Sequence, residues 1–464
     1  MPAPKLTGSD SAGVPAADQS SARSAGAGGV PAPVWSERRA EAHLRSLELF
    51  GMRFGLDRMR RMMTVLGAPQ LRYECVHVLG TNGKTSTTRM TAAILERHGL
   101  RTAAYTSPHL ISYGERVQIG ERDLAGAELA SAIERAAWAA ERVNRTLAGD
   151  DHVTQFELLT AAALLAMAER DVQVAVIEAG LGGRYDATAV VEAGVTALTN
   201  VGLEHTRWLG PTVRDIAEEK LAVVRERSTV VLGADLDRDA SAAAERVVRE
   251  RGARLLVAPR EPAAGRRRLA AGGEFQRRNF ALAELVARTY LGGRGIEPSE
   301  QALDAAAAAT EIGGRLQLVA HDPPTVLDGA HNPDAARALV RSLPETVGER
   351  PLALVLGVLE DKDAAGMLET LLPVSACAWF TAPPSARALS PAALQSLARQ
   401  RGFERTACEP SAERALAEAQ AWAREHGAAV LATGSVYLVG ELLALLACER
   451  PAKESSRPRR RAAM

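Results

Sequence analysis

The stretch CVHVLGTNGKTSTTRMTAAILERHG, residues 75–99, decides the fold. An apolar run ends in a glycine-bounded turn, and an amphipathic helical pattern starts directly after Lys84. That is the context of a phosphate-binding loop, because glycines let backbone N–H groups approach phosphate oxygens and a helix N-terminus adds its positive dipole end. The common G-x-x-x-x-G-K-[ST] pattern would place its first glycine at position 78, where valine stands. The loop is therefore the shorter turn from Gly80 to Lys84. Thr81, Asn82 and Gly83 form its backbone cradle, Lys84 supplies a full charge, and the hydroxyls of Thr85 and Ser86 suit phosphate or Mg²⁺. The competing reading is an ordinary strand-to-helix turn with a solvated lysine; the hydroxyl run from Thr85 to Thr88 weighs against it.

Outward from this loop, short β-branched runs alternate with alanine-rich helical segments, the pattern of a parallel sheet wrapped by helices. Strands are expected at 75–80, 172–180, 194–200 and 228–233, with helices at 84–98, 122–147, 155–170, 212–226, 238–251, 275–291 and 299–311. A second cycle follows, with strands at 315–320, 325–329, 351–359, 376–382 and 428–434. Its helices are expected at 333–342, 363–372, 390–401, 411–425 and 435–447. Two glycines, Gly313 and Gly314, interrupt the helical pattern between the cycles. The fold class is thus α/β: an N-terminal P-loop-type parallel-sheet ATPase domain over 35–312 and a smaller C-terminal Rossmann-like α/β domain over 313–449. Residues 1–34 read as a disordered leader and 450–464 as a basic disordered tail.

Lysine plus arginine equals aspartate plus glutamate at 56 each in a chain of 464 residues, so the global field favours neither nucleic acid nor an anionic membrane. Any acidic ligand must be held locally. The four cysteines form no C-x-x-C pair, and no stretch suits a bilayer span, which makes a reducing cytoplasm the expected home. Glu178 ends one apolar run and His205 follows another, at strand ends where open α/β sheets bind their ligands. A carboxylate there could hold Mg²⁺ against a triphosphate. Lys220, amid Glu218 and Glu219 on an expected helix, reads from its neighbours alone as a salt-bridged surface lysine.

The G-T-N-G-K loop resembles that of the Mur ligase superfamily. The segments FGLDRMRRMMTVLGAP, TSPHLISYGERV, EAGLGGRYDAT, GLEHTRWLG, GGRLQLV, LDGAHNPDAA, LGVLEDKD and TGSVYLVGE narrow the resemblance to folylpolyglutamate synthase, including its bifunctional dihydrofolate synthase form. They run in order from about residue 54 to 441. The resemblance implies ATP-driven phosphorylation of a carboxylate followed by attack of the L-glutamate amine, with dihydropteroate or a reduced folate as acceptor and a monomer as the working unit. It implies Mg²⁺ held by Ser107, Glu178 and His205, N6-carboxylation of Lys220, and ATP contacts from Asn279, Arg315 and Asp328. His331 joins Lys84 and Lys220 in the implied catalytic set. The implied acceptor contacts are Phe54, Gly55 and Leu56, then Thr154, Gln155, Phe156 and Glu157, then Tyr185, Asp186 and Ala187. Three positions depart from the family's usual text: Thr85 stands for glycine, Ala189 for asparagine, and Leu221 for alanine after the lysine. The last two leave open a Mur-type ligase acting on a different carboxylate. A reading of another class is an ATP-binding scaffold without ligase activity.

Overall fold

A computed structural model describes residues 35–47, 55–262 and 267–449. The expected leader and tail, and Phe54, lie outside the described residues. Helices α1 (Glu37–Ser46) and α2 (Asp57–Val65) precede β1 (Glu74–Leu79) and α3 (Lys84–Arg97). Then come β2 (Thr102–Tyr105), β3 (Val117–Ile119), β4 (Arg122–Asp123), α4 (Gly126–Asn144), α5 (Gln155–Glu169), β5 (Val174–Glu178) and β6 (Ala193–Leu198). The first unit continues through α6 (Thr206–Leu209), α7 (Val213–Leu221), β7 (Thr229–Leu232), α8 (Arg238–Arg251), β8 (Arg254–Val257), α9 (Glu274–Gly293) and α10 (Glu300–Ala309). The second contains β9 (Gln317–His321), β10 (Pro324–Leu327), α11 (Pro333–Val347), β11 (Leu352–Leu356), α12 (Ala364–Leu371), β12 (Cys377–Phe380), α13 (Pro391–Gln400), β13 (Thr406–Cys408), α14 (Ala412–His426), β14 (Ala429–Thr433) and α15 (Val436–Glu449).

The first sheet has the order β4-β3-β2-β5-β1-β6-β7-β8, parallel from β2 to β8, with β3 and β4 added antiparallel at one edge. β1 is central and fully buried beyond Glu74, which is why its sequence shows no polar alternation. Its residues still divide by face: Cys75 packs with α1, α2, α4 and α5, whereas Val76 and Val78 pack with α3, α9 and α10. The second sheet has the order β13-β12-β11-β14-β10-β9, parallel except for β9 at one edge. Leu354 and Leu356 face α11, α12 and α13, while Ala353 and Val355 face α14 and α15.

Long, strongly patterned elements match the expected spans closely, as does edge strand β9, whereas α1, α2, the edge strands β3, β4, β8 and β13, and the buried four-residue β2 have no expected span. The two-residue β4 cuts the amino end of the expected 122–147 helix, which starts at Gly126. The expected 212–226 helix stops at Leu221. β8 and β13 are edge strands with exposed or half-exposed residues, so they carry little of the apolar signal that marks a buried strand.

Candidate functional site

The loop after β1 is pressed against the end of neighbouring β6, and its glycines follow from that contact. At Gly80 the backbone has φ 146°, and a Cβ would lie 1.8 Å from Thr199 Oγ1. Thr199 Oγ1 donates to the Asn82 carbonyl at 2.6 Å, and Asn82 N donates to Asn200 Oδ1 at 2.8 Å. Gly83 is left-handed at φ 81°, and a Cβ there would meet Asn279 Oδ1 at 2.5 Å. Asn279, on α9, therefore rests directly on the loop; Gln276, fully buried one turn earlier, accepts its Nδ2 at 2.9 Å.

Two ammonium groups meet at this turn. Lys84 Nζ donates to the carbonyls of Gly80 (3.2 Å) and Thr81 (3.1 Å), and Lys220 Nζ donates to Gly80 O at 2.8 Å. Lys220 is 4% exposed, which overturns its reading as a surface lysine. Its acidic neighbours pair elsewhere, Glu218 with Arg246 and Glu219 with Arg184, so α7 turns Lys220 inward without a carboxylate. Burial, then the Lys84 charge, bring its pKa down to about 7. The glycine pair of EAGLGGRYDAT makes room for this helix, since a Cβ on Gly183 would lie 2.2 Å from the Lys220 carbonyl oxygen.

Glu178, at the end of β5, is buried beside the loop. Its carboxylate accepts Thr85 Oγ1 at 2.9 and 3.1 Å and the Ser107 amide at 3.2 Å. Burial raises its pKa, while Lys84, Thr85 and the Ser107 amide oppose the rise. A buried carboxylate flanked by two hydroxyl-bearing residues is a hard-oxygen donor set, the chemistry Mg²⁺ prefers. Among the described residues no three His, Cys, Asp or Glu side chains gather as a metal cluster. His205 faces Glu204, with Nε2 3.7 Å from Oε1. Burial and then the Lys362 charge lower the His205 pKa to about 4, so its ring is neutral at physiological pH, the form that ligates metals.

The second unit brings its own loops to the same seam. Both Asp328 oxygens accept backbone amides, from Leu316 and Ala330, each at 2.7 Å. The carboxylate thus shapes the turn that carries Gly329 and His331. Arg315 Nη1 donates to Gly314 O at 3.0 Å and lies over Gly329, where a Cβ would be 2.2 Å away. His331 Nδ1 donates to Gly329 O at 2.9 Å, which leaves Nε2 facing Glu204 Oε1 at 3.4 Å. Lys362 Nζ donates to the same Glu204 oxygen at 2.6 Å. Burial disfavours ionisation of Glu204, but His331 and Lys362 outweigh it and hold the carboxyl far below the usual range. Asn82 and Asn332 exchange side-chain hydrogen bonds across the seam, at 3.3 and 3.0 Å.

Around the implied acceptor positions most polar groups have internal partners. Thr154 and Glu157 form a capping box at the start of α5, and Glu157 also accepts Arg58 Nε at 3.0 and 3.1 Å. Gln155 Nε2 donates to Leu44 O at 2.7 Å. Asp186 accepts the amides of Leu181 (2.7 Å) and Thr188 (3.0 Å) and the Thr188 hydroxyl; that hydroxyl in turn accepts Nε2 of buried His77 at 2.9 Å. Ala187 is buried, Phe156 packs over Gly180, and Tyr185 is 47% exposed. Gly55 and Leu56 lead into α2, and Arg58 follows within its first turn.

Glu204, Lys362, Asn332 and Arg58 were not singled out from sequence. Each lies inside a motif quoted above (GLEH, LEDKD, DGAHNP, FGLDRM), but its partner is 93 or more residues away and no periodicity links them.

Comparison with known proteins shows the family of the chain. Residues 78–257 match the Mur ligase middle domain, and residues 314–436 match the Mur ligase, glutamate ligase domain. The chain is 32% identical over 363 residues to folylpolyglutamate synthase of Lacticaseibacillus casei, covering 73% of this chain and 84% of that protein. It is 33% identical over 379 residues to dihydrofolate synthase/folylpolyglutamate synthase of Mycobacterium tuberculosis, covering 75% and 78%. The solved Mycobacterium tuberculosis folylpolyglutamate synthase complexed with ADP superposes with a TM-score of 0.82 at 29% identity, covering 88% of this chain and 98% of that one. With both Mur ligase domains matched and relatives above 30% identity matched over most of their length, the chain belongs to the folylpolyglutamate synthase/dihydrofolate synthase family of Mur ligases.

Proposed function

We propose that the protein is an ATP-dependent ligase that joins L-glutamate to dihydropteroate, to the glutamate tail of a reduced folate, or to both. Its names among relatives support the substrate class. The observation that carries the reading is the convergence of Lys84, Lys220 and Glu178 on one phosphate loop. A binding-only scaffold would have no use for a buried, half-neutral lysine under that loop.

In the proposed reaction the γ-phosphoryl group of ATP passes to an oxygen of the acceptor carboxylate, giving an acyl phosphate and ADP. The glutamate amine then attacks the acyl carbon, phosphate leaves with the C–O bonding pair, and the amine loses a proton to form the amide. Lys84 swings from its loop carbonyls to the phosphate oxygens, where its charge offsets that of the transferring group. Thr85, Ser107 and Glu178 would hold Mg²⁺, with His205 as a further ligand. When bound, the ion neutralises phosphate charge. Asn279 orients the base, and Arg315, with the turn shaped by Asp328, completes the site from the second unit. His331 positions groups at the seam.

Lys220 has the low pKa needed to react with CO₂ as a free amine, forming a carbamate and releasing a proton; the result is an anion beneath the loop. Gly55, Leu56, Phe156, Tyr185 and Ala187 line the acceptor side, with Thr154, Gln155, Glu157 and Asp186 fixing its walls. The domains are taken as 35–312 and 313–449, and the working form as a cytoplasmic monomer whose partners are small molecules rather than nucleic acid or membrane. No described helix is long and apolar enough to cross a membrane.

The test is phosphate release with ATP, Mg²⁺ and L-glutamate, comparing dihydropteroate, tetrahydrofolate and a muramyl peptide as acceptors. Turnover with either pterin acceptor is expected. Turnover with the muramyl peptide alone would sink the folate reading, and none with any acceptor would favour the scaffold.

A further inference from the structure

Among the described residues, three polar contacts join the loops of the first sheet to the second unit, beside the apolar packing of Leu110 against Gly314 and Gly440. Glu204 pairs with Lys362 and His331. Gly202 admits Asp334, whose Oδ2 would lie 2.6 Å from a Cβ at that position. Asn82 of the phosphate loop and Asn332 of the second unit exchange two amide hydrogen bonds, each side chain donating once and accepting once. Among the described residues, this last contact alone reaches the phosphate loop itself.

Asn332 has a second task, because its Oδ1 also accepts the Ala335 amide at 2.9 Å and so caps α11, whose first turn starts with Pro333. One side-chain oxygen therefore bonds the helix and Asn82 together, while the Nδ2 group is given wholly to the loop. Asn332 is 7% exposed, so water is a poor substitute for either bond. The residue follows directly on Asp328–His331, the turn that presents the second unit's polar groups to the seam.

We propose that Asn332 is a positioning residue: through its reciprocal amide pair with Asn82 it sets the register between the phosphate loop and the turn bearing Asp328 and His331. The pair aligns the two halves of the site for phosphoryl transfer, and the helix cap holds Asn332 in place to do so. This rests on the ligase reading above, and its test is built to fail separately.

Serine at 332 retains a cap but is too short to reach Asn82, whereas aspartate retains the cap and the acceptor but replaces the donated bond with a charged oxygen facing Asn82 Oδ1. The experiment is a double-mutant cycle on Asn82→Ser, Asn332→Ser and their combination, read as kcat and KM for ATP, with thermal midpoints alongside. Each single change should lower kcat about tenfold with the midpoint nearly unchanged, and the double should be no slower than the slower single, the signature of one shared interaction. Losses that multiply, or an Asn332→Ser enzyme with wild-type kcat, overturn the proposal. Should Asn332→Ser lose thermal stability, Asn332→Asp decides, measured in the wild-type and Asn82→Ser backgrounds: a kcat loss that disappears in the Asn82→Ser background supports the proposal, and wild-type kcat or an equal loss in both backgrounds refutes it. If the wild-type protein turns over no pterin acceptor, the same cycle is read as affinity for a non-hydrolysable ATP analogue. Non-additive losses of affinity there support the seam although the folate reading has failed; additive losses refute it.

Discussion

The loop after β1 and the wall proposed for the acceptor both gather charged and polar residues, but they use them in opposite ways. At the loop, among the described residues, Lys84 and Lys220 donate to carbonyls, and Glu178 is buried against the Thr85 hydroxyl and one amide. These groups carry charge that an incoming anion or cation would complete. At the wall, Glu157 and Asp186 are occupied by a helix cap, an arginine and backbone amides. We propose that unspent charge marks where the chemistry is done, and that spent charge first holds the shape of the acceptor side.

The largest test of this contrast is Lys84→Ala. It should cut turnover by about a thousandfold or more, since a charge on the transferring phosphoryl group is lost, while the melting temperature stays close to wild type. Appreciable remaining activity would remove the loop from the mechanism. The converse case is Glu157→Ala, which strands buried Arg58 and opens the α5 cap, although Asp151 still pairs with the arginine. Leaving a buried charge wholly uncompensated costs about 3–5 kcal/mol, and with Asp151 still paired the loss in chemical denaturation should fall below that range. A changed folate KM at unchanged stability would instead make Glu157 a substrate contact.

Lys220 sharpens the contrast through pH. Its folded pKa is about 7, whereas the unfolded side chain titrates near its ordinary value of about 10.4. Between these values the unfolded chain binds more protons, so stability rises with pH; below about 7 the cost of burying the ammonium is fully present. In CO₂-depleted buffer, where Lys220 is the free amine, Lys220→Met should therefore raise the melting temperature more at pH 6 than at pH 9, while abolishing turnover. An equal gain at both values would contradict the depressed pKa. The wild-type rate should also fall on the acid side of neutrality, where the amine no longer takes up CO₂.

The smallest expected effect is at Thr85. Thr85→Val removes its bond to Glu178 and should raise the KM for Mg·ATP about fivefold, the equivalent of one ordinary hydrogen bond, with Thr85→Ser close to wild type. Equal behaviour of the two variants would show that the hydroxyl is dispensable.

What the sequence by itself determined was local. A strand feeding a glycine turn and a helix is written in adjacent residues, because backbone sterics and apolar runs act over short spans. The loop, the two cycles of α/β elements and the order of their long members were accordingly legible. The family motifs likewise pointed to the segments that meet at the site. What tertiary structure decided was which charges are spent. Lys220 looks like a surface residue beside Glu218 and Glu219, and only the packing of α7 under Gly80 buries it and lowers its pKa. Glu204 with Lys362, and Asn82 with Asn332, join residues 158 and 250 positions apart. Such pairs leave no period in the chain, since a buried ion or amide pair is specified by desolvation and geometry at the meeting of two sheets rather than by neighbours in sequence.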